Sequence, residues 1–256
     1  MKISIIMVTF NSDKTLRSAI KSIKSQTDVQ LELVVIDGGS TDETLNILKE
    51  FNSTIDILIS EADEGTYDAL NKGLRQCTGD IVGILHSDDV FANKDSLSMV
   101  SKKFKESSCS VVYGNIDFFK GNLIKRRWNA GVFKLKKIKN GWHPPHPAFF
   151  VKKELILTNN IYYDTSYKIC ADLKWMIKIL SIANEVIHLN ETLIYMRLGG
   201  ASTTLKGQLT SFKEFNSIYK ELGFSKFQVA LILLKRYVLK LKQLFLKEEN
   251  IITEVL

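Results

Sequence analysis

The sequence predicts an α/β fold with a mainly parallel central sheet flanked by helices and a C-terminal helical tail. Three observations lead there. Short apolar runs alternate with amphipathic segments through the first ninety residues, as right-handed strand–helix–strand crossovers require. Two of these runs, Leu31 to Ile36 with Glu32 its one polar residue and Ile81 to Leu85, carry apolar residues on both faces and end near carboxylates. Strands buried between helical layers end this way at the edge where open sheets bind ligands. Beyond about Leu205 the pattern is helical only.

Lys2 to Phe10 reads as the first strand, after which Asn11-Ser12-Asp13 offers side-chain oxygens to cap a helix with Leu16, Ile20 and Ile23 on one face. The second strand runs into Asp37-Gly38-Gly39-Ser40-Thr41-Asp42-Glu43. Its glycines permit a tight turn or close approach of a ligand, and Ser40 and Glu43 have capping-box spacing. A helix with Leu45 and Leu48 inward and a short strand, Asp56 to Ser60, come next. Glu61 to Gly65 is a loop into a helix whose buried stripe is Tyr67, Leu70 and Leu74. Its other face, Asp68, Asn71 and Lys72, is either solvent surface or a place where Lys72 neutralises a phosphate at the helix start.

Gly79 to Asp89 is the stretch around which the chain is organised: a buried strand closed by Ser87-Asp88-Asp89. Adjacent carboxylates repel. Either they cap the helix suggested by Asp95 to Phe104, or a divalent cation lies between them and an anionic ligand. Asp37 either closes its turn or accepts hydrogen bonds from a base or ribose. No G-x-G-x-x-G and no G-x-x-x-x-G-K-[ST] occurs, so neither a dinucleotide fingerprint nor a Walker loop is supported.

In the second half, Ser110 to Phe119 and Leu123 to Arg127 read as a hairpin, Tyr167 to Leu180 as a helix with Leu173, Met176, Ile177 and Leu180 inward, and Glu185 to Leu189 and Thr192 to Leu198 as the last strands. All three prolines fall between Pro144 and Pro147, stiffening the segment that carries His143 and His146. The histidines either pack the turn or line a pocket, and they lack the further ligands of a zinc site. Asp172 stands in the first turn of its helix, where the helix dipole favours a carboxylate.

With 256 residues, 45% hydrophobic and 25% charged, the chain is an ordinary soluble globule. Cys77, Cys109 and Cys170 are far apart, which argues against a disulfide framework and for a reducing, cytoplasmic compartment. The start is too quickly polar for a signal peptide, and no apolar run approaches the ~20 residues of a membrane span. The net charge of +7 is unevenly placed. Phe118 to Lys153 holds no acid while carrying Lys120, Lys125, Arg126, Arg127, Lys134, Lys136, Lys137 and Lys139. This is either a solvated loop or a lid whose lysines hold phosphate. Phe224 to Lys247 is likewise basic, with an apolar seam of Phe227, Leu231, Leu234, Val238, Leu241 and Phe245. That seam docks on the rest of the chain, on a second copy as a homodimer contact, or on the inner face of the cytoplasmic membrane. No nucleic-acid partner is expected.

Val8-Thr9-Phe10-Asn11, Val35-Ile36-Asp37-Gly38-Gly39-Ser40-Thr41-Asp42, Tyr67-Asp68-Ala69-Leu70-Asn71-Lys72-Gly73 and Leu85-His86-Ser87-Asp88-Asp89, in this order and spacing, strongly resemble the family 2 glycosyltransferases, which have a GT-A fold. The resemblance resumes at Trp142 to Phe150, Ala171-Asp172 and Tyr195 to Ser202. It implies a GT-A-like catalytic domain over residues 1–204, with a nucleotide-sugar-binding half (1–90) and an acceptor half (91–204), and a helical extension over 205–256.

By the same resemblance, Thr9, Asn11 and Asp37 hold the nucleoside of a sugar-nucleotide donor such as a UDP-sugar. Asp63, Asp68 and Lys72 close around it, and Asp88 touches ribose or sugar. Asp89, last of the D-x-D type motif, binds Mn²⁺ or Mg²⁺. His146 lines the pocket, Arg197 reaches phosphate oxygens, and Asp172 is the catalytic base of an inverting transfer. The expected acceptor is a carbohydrate or lipid-linked hydroxyl in bacterial surface-polysaccharide synthesis (capsule, exopolysaccharide or lipopolysaccharide). Ser87 and Ala171 depart from the family pattern, which also admits a catalytically idle sugar-nucleotide-binding or partner subunit. A phosphatase using Asp37 as nucleophile is a further rival, although Gly39 stands where a second acid is wanted.

Overall fold

In the computed structural model, residues 1–199, 204–243 and 249–250 are described. The strands are β1 (Lys2–Thr9), β2 (Gln30–Asp37), β3 (Ile57–Ser60), β4 (Ile81–Ile84), β5 (Val90–Phe91), β6 (Val111–Lys120), β7 (Leu123–Trp128), β8 (Phe149–Lys152), β9 (Val186–Arg197) and β10 (Glu249–Asn250). The helices are α1 (Leu16–Lys24), α2 (Thr44–Glu50), α3 (Thr66–Gln76), α4 (Ser96–Glu106), α5 (Leu135–Ile138), α6 (Lys153–Thr158), α7 (Ala171–Ile182), α8 (Leu205–Glu221) and α9 (Lys226–Gln243).

Among the described residues the strands form one sheet, ordered β10-β7-β6-β8-β4-β1-β2-β3, with β9 on β6 and β5 on β9. The neighbours β3, β2, β1 and β4 are parallel, as is β6 with β9. The strands β5, β7, β8 and β10 pair antiparallel, so the sheet is mixed toward its second half. The expected pair of final strands is one continuous β9, whose pairing with β6 shifts register near Asn115.

Alternation along each inner strand sends side chains to two cores. From β1 and β2, Ile6, Val8, Val34 and Ile36 meet Leu70, Leu74, Trp175, Met176 and Phe215 of α3, α7 and α8 on one face. On the other, Ile5, Met7, Leu33 and Val35 meet Leu16, Ile20, Leu48 and Leu97 of α1, α2 and α4. Each such fully buried aliphatic side chain contributes roughly 1.5–3 kcal/mol. The layers are tight at Gly83, where a Cβ would lie 2.5 Å from the Phe150 ring.

The two C-terminal helices are part of this body. Phe215, Ile218 and Tyr219 of α8 and Val229 and Ile232 of α9 lie in the same core as α7. The seam read from the sequence is not the docking face: Phe227, Leu231 and Leu234 are exposed and α9 packs through Val229 and Ile232 instead. Phe245 and Gly200 to Ser202 lie outside the described residues, as do the side chains of Val238 and Leu241.

Candidate active site

The rim at the carboxyl ends of β1, β2 and β4 gathers the polar residues of three separate loops. Register does this: Thr9 pairs with Asp37, and Asp37 with Ser60, while Ile6 pairs with Ile84 three residues before Ser87. Above the rim opens a cleft of about 940 Å³, lined among others by Thr9, Phe10, Asn11, Lys14, Gly38, Asp63, Thr66, His86, Asp88 and Arg197.

The loop after β1 does not use its oxygens as helix caps. Asn11, at φ 47°, accepts from Thr41 N–H at 2.9 Å through Oδ1, and the Ser12 hydroxyl meets that of Ser87 at 2.9 Å. The loops after β1, β2 and β4 are thereby tied together. The expected capping box is also absent, because the Ser40 hydroxyl donates to Asp37. Asp37 is fully buried beneath the cleft floor and accepts from Gly39 N–H, Ser40 N–H and the Ser40 and Ser60 hydroxyls. A carboxylate so enclosed is no accessible nucleophile, which removes the phosphatase reading. What reaches the cleft beside it is Gly38, packed so closely on the Asp63 carboxylate that a Cβ would lie 2.5 Å from Oδ2. Asp63 in turn accepts from Gly65 N–H at 2.8 Å, shaping the loop before α3.

Lys72 turns toward that loop: its ammonium lies 2.7 Å from Glu61 and 3.5 Å from Asp68, and donates to Ala62 O at 3.3 Å. The Glu61 hydrogen bond raises its pKa. Neither Lys72 nor Asp68 is among the residues lining the cleft.

Ser87-Asp88-Asp89 caps no helix, since β5 intervenes before α4. Asp88 lines the cleft, while Asp89 is 1% exposed. One Asp89 oxygen accepts from Arg197 N–H at 2.9 Å, and the other, Oδ2, is buried without a hydrogen-bond partner. Burial, with the Asp88 charge second, pushes the Asp89 carboxyl well above the usual carboxylate range against the pull of Arg197. An unpaired buried oxygen beside a second carboxylate suits a hard divalent cation. Among the described residues no three His, Cys, Asp or Glu side chains group to hold a metal, so a cation at Asp89 would need further oxygens from a ligand or water. Thr9 Oγ1 is likewise buried without a partner and its residue lines the cleft.

Arg197 donates from Nε to Asp88 O at 3.3 Å and its guanidinium lies 4.7 Å from the Phe119 ring centre. It also borders a smaller cavity of about 320 Å³ with Lys14, Arg17 and Lys21. Arg17 is paired with Glu50, so Lys14, Lys21 and Arg197 are the cations that give that side of the cleft a positive field suited to phosphate.

His146 is behind the wall. It is buried, with Nε2 2.8 Å from the Tyr163 hydroxyl, and burial pushes its pKa down to about 3, helped by His86 and His143. His86, 6.0 Å away between ring centres, is the histidine that lines the cleft. The sequence reading passed over it because a lone histidine before the acids has no spacing signal. None of the lysines and arginines between Lys120 and Lys139 lines the cleft; they belong to β6, β7, α5 and the turns between.

Asp172 stands in the first turn of α7, half-buried, with Oδ1 accepting from Leu173 N–H at 2.8 Å. The Tyr67 hydroxyl lies 3.4 Å from the same oxygen and donates to Ile169 O at 2.6 Å. Burial and the Asp172 charge raise the Tyr67 pKa, so it remains a donor. Tyr67 follows the cleft residue Thr66, but Asp172 itself is not among the residues lining the cleft. Sequence periodicity places Tyr67 on the buried stripe of α3 and says nothing of its hydroxyl.

Comparison with known proteins bears on the fold and the family. A PGL/p-HBAD biosynthesis glycosyltransferase of Mycobacterium bovis is 33% identical over 208 residues, covering 79% of each chain. S. aureus TarS superposes with a TM-score of 0.69 at 22% identity, over 91% of this chain and 42% of TarS. The present chain therefore spans less than half of that protein. TarS 1–349 in complex with UDP-GlcNAc gives a TM-score of 0.68 at 22% identity, over 83% and 65% of the chains. The mannosyltransferase PcManGT from Pyrobaculum calidifontis, in complex with GDP-Man and Mn²⁺, gives 0.65 at 18% identity, over 88% and 65%. With the Glycosyl transferase family 2 pattern matching residues 4–179, the rim of β1, β2 and β4 and the start of α7 both fall inside the match, and the chain belongs to that family.

Proposed function

We propose that this glycosyltransferase moves a hexose or related sugar from a nucleoside diphosphate to an acceptor hydroxyl with inversion at the anomeric carbon. The observation that carries the reading is the buried, unpartnered Oδ2 of Asp89 beneath a cleft bordered by Arg197 and Lys14. Solved relatives of the same fold hold UDP-GlcNAc, or GDP-Man with Mn²⁺. In this reading Thr9, Asn11, Asp63 and Asp88 contact the donor, Phe10 offers an exposed ring under the base, and Arg197 faces the diphosphate. Asp37, Asp68, Lys72 and His146 shape the walls. Asp89 is the protein ligand for Mn²⁺ or Mg²⁺, which when bound acts as a Lewis acid toward the diphosphate.

Asp172 takes the proton of the acceptor hydroxyl as its oxygen bonds the anomeric carbon from the face opposite the diphosphate. The bond to the phosphate oxygen breaks and its electron pair leaves with the nucleoside diphosphate. One carboxylate suffices, and no glycosyl-enzyme forms. The test is a panel of UDP- and GDP-sugars scored for Mn²⁺-dependent thermal stabilisation, followed by NMR of the anomeric configuration of product. Stabilisation by no donor, or retained configuration, overturns the reading; donor binding without turnover makes the chain an idle binder.

We further propose that the acceptor is lipid-linked, in surface-polysaccharide assembly, and that the enzyme works as a peripheral protein on the cytoplasmic membrane face. Leu205, Leu209 and Phe212 of α8 and Phe227, Leu231 and Leu234 of α9 repeat an i, i+4, i+7 stripe, each 41% to 82% exposed. Lys206, Lys213, Lys226 and Lys235 accompany them, whereas the acids of α8, Glu214 and Glu221, bond inward. An apolar, basic surface suits an anionic bilayer, whereas a second copy of it would bring like charges together. No helix among the described residues is long and apolar enough to cross one.

A further inference from the structure

α7 starts at Ala171 with Cys170 at its N-cap, and no side chain of that residue caps the helix. The amides leading into it need outside acceptors. Glu214, on α8, provides them. Its Oε1 accepts from Lys168 N–H at 2.7 Å, and its Oε2 accepts from Ile169 N–H at 2.9 Å and Cys170 N–H at 2.8 Å. The Ile169 carbonyl is held from the other side by the Tyr67 hydroxyl at 2.6 Å. Further along the same face of α8, Glu221 takes the Tyr167 hydroxyl at 2.5 Å and Lys174 Nζ at 2.6 Å. The chain is thus fastened to α8 on both sides of Asp172.

We propose that Glu214 is the positioning residue for Asp172, so that α8, which lies beyond the residues matched by the family, completes the catalytic unit. The proposal rests on Asp172 being the base. Three backbone donors converging on one carboxylate fix the path of the peptide two residues before Asp172 far more narrowly than a hydroxyl cap does, because charge-assisted hydrogen bonds are short and strong. A carboxylate at this helix start is also favoured by the helix dipole. Displacing a base by about 1 Å costs about 10²-fold in rate, and the donor cleft, built from other loops, is left as it was.

The test uses the full chain and release of UDP from UDP-glucose, UDP-galactose and UDP-N-acetylglucosamine, or of GDP from GDP-mannose, with Mn²⁺. Glu214→Ala is expected to lower kcat by roughly 10- to 100-fold with the donor KM unchanged, and to speed amide exchange over residues 167–174 alone. Glu214→Gln, which keeps an acceptor oxygen, recovers part of kcat and serves if the alanine variant does not fold. Thr210→Ala, on the same helix, behaves as the parent. Wild-type kcat in both Glu214 variants, or a loss matched by weakened donor binding or by the unfolded fraction, overturns the positioning role. Asp172→Asn is measured beside them: normal turnover there removes the base assignment, whereas a dead Asp172→Asn with an unimpaired Glu214→Ala removes only the role of Glu214.

Discussion

Asp89 and Arg197, 108 positions apart, meet where Arg197 N–H donates to Asp89 Oδ1 at 2.9 Å. This bond joins the end of the β4 loop to the end of β9 and leaves Oδ2 as the one unpaired oxygen of that carboxylate. Asp89→Asn keeps an acceptor for Arg197 but presents an amide where a cation would sit. The metal-free protein is expected to melt at or above the parent temperature, because a buried charge beside Asp88 is removed. Stabilisation by UDP with Mn²⁺, read by differential scanning fluorimetry, is expected to disappear, and turnover to fall by about 10²-fold or more.

Asp172→Asn separates chemistry from binding. The amide fits the same space and accepts from Leu173 N–H, yet takes no proton. A kcat lower by about 10²–10⁴-fold is expected, with donor affinity by calorimetry unchanged. Equal turnover would place the base elsewhere.

Acid stability is set at the opposite end of the sheet. Glu32 is buried, and although burial raises its pKa, hydrogen bonds from Lys2, Ser4 and Thr78 outweigh that and hold it down to about 2, against the ordinary 4.5. A depressed folded pKa contributes stability above pH 4.5 that is lost as pH falls toward about 2. Glu32→Gln should lose about 1–3 kcal/mol at neutral pH and flatten the acid limb of urea-melt stability between those pH values. An unchanged acid limb would assign it to other carboxylates.

The exposed stripes of α8 and α9 make a measurable claim on lipid. Full-length protein is expected to float with vesicles of phosphatidylcholine and phosphatidylglycerol, not with phosphatidylcholine alone, and to be released by salt. Leu209→Glu with Phe212→Glu should weaken partitioning by about tenfold or more while UDP binding stays intact. Failure to bind anionic vesicles, or a concentration-dependent dimer abolished by the same pair in sedimentation, would set the bilayer aside.

The strands of the first half and their parallel sense were legible because they are short, largely apolar and separated by amphipathic helices, whereas their order in the sheet came from the structure. The β5 and β10 strands were not legible, since two residues carry no period. Caps were misread at Ser40 and Asn11 for one reason: a hydroxyl or amide near a helix start bonds whichever donor or acceptor the fold brings closest, and here those were Asp37 and Thr41. The α9 seam was visible as a period, but periodicity does not say which of two apolar stripes faces inward.

What the sequence by itself determined was the alternation that builds the sheet, the acids that end its strands and the family that shares them. What the tertiary structure alone decided was which of those acids face the cleft and which lie beneath it, and that Glu214 of the tail grips the start of α7. Apolar period and capping are local and can be read along the chain. A carboxylate's partner is settled by whichever amides long-range packing delivers to it.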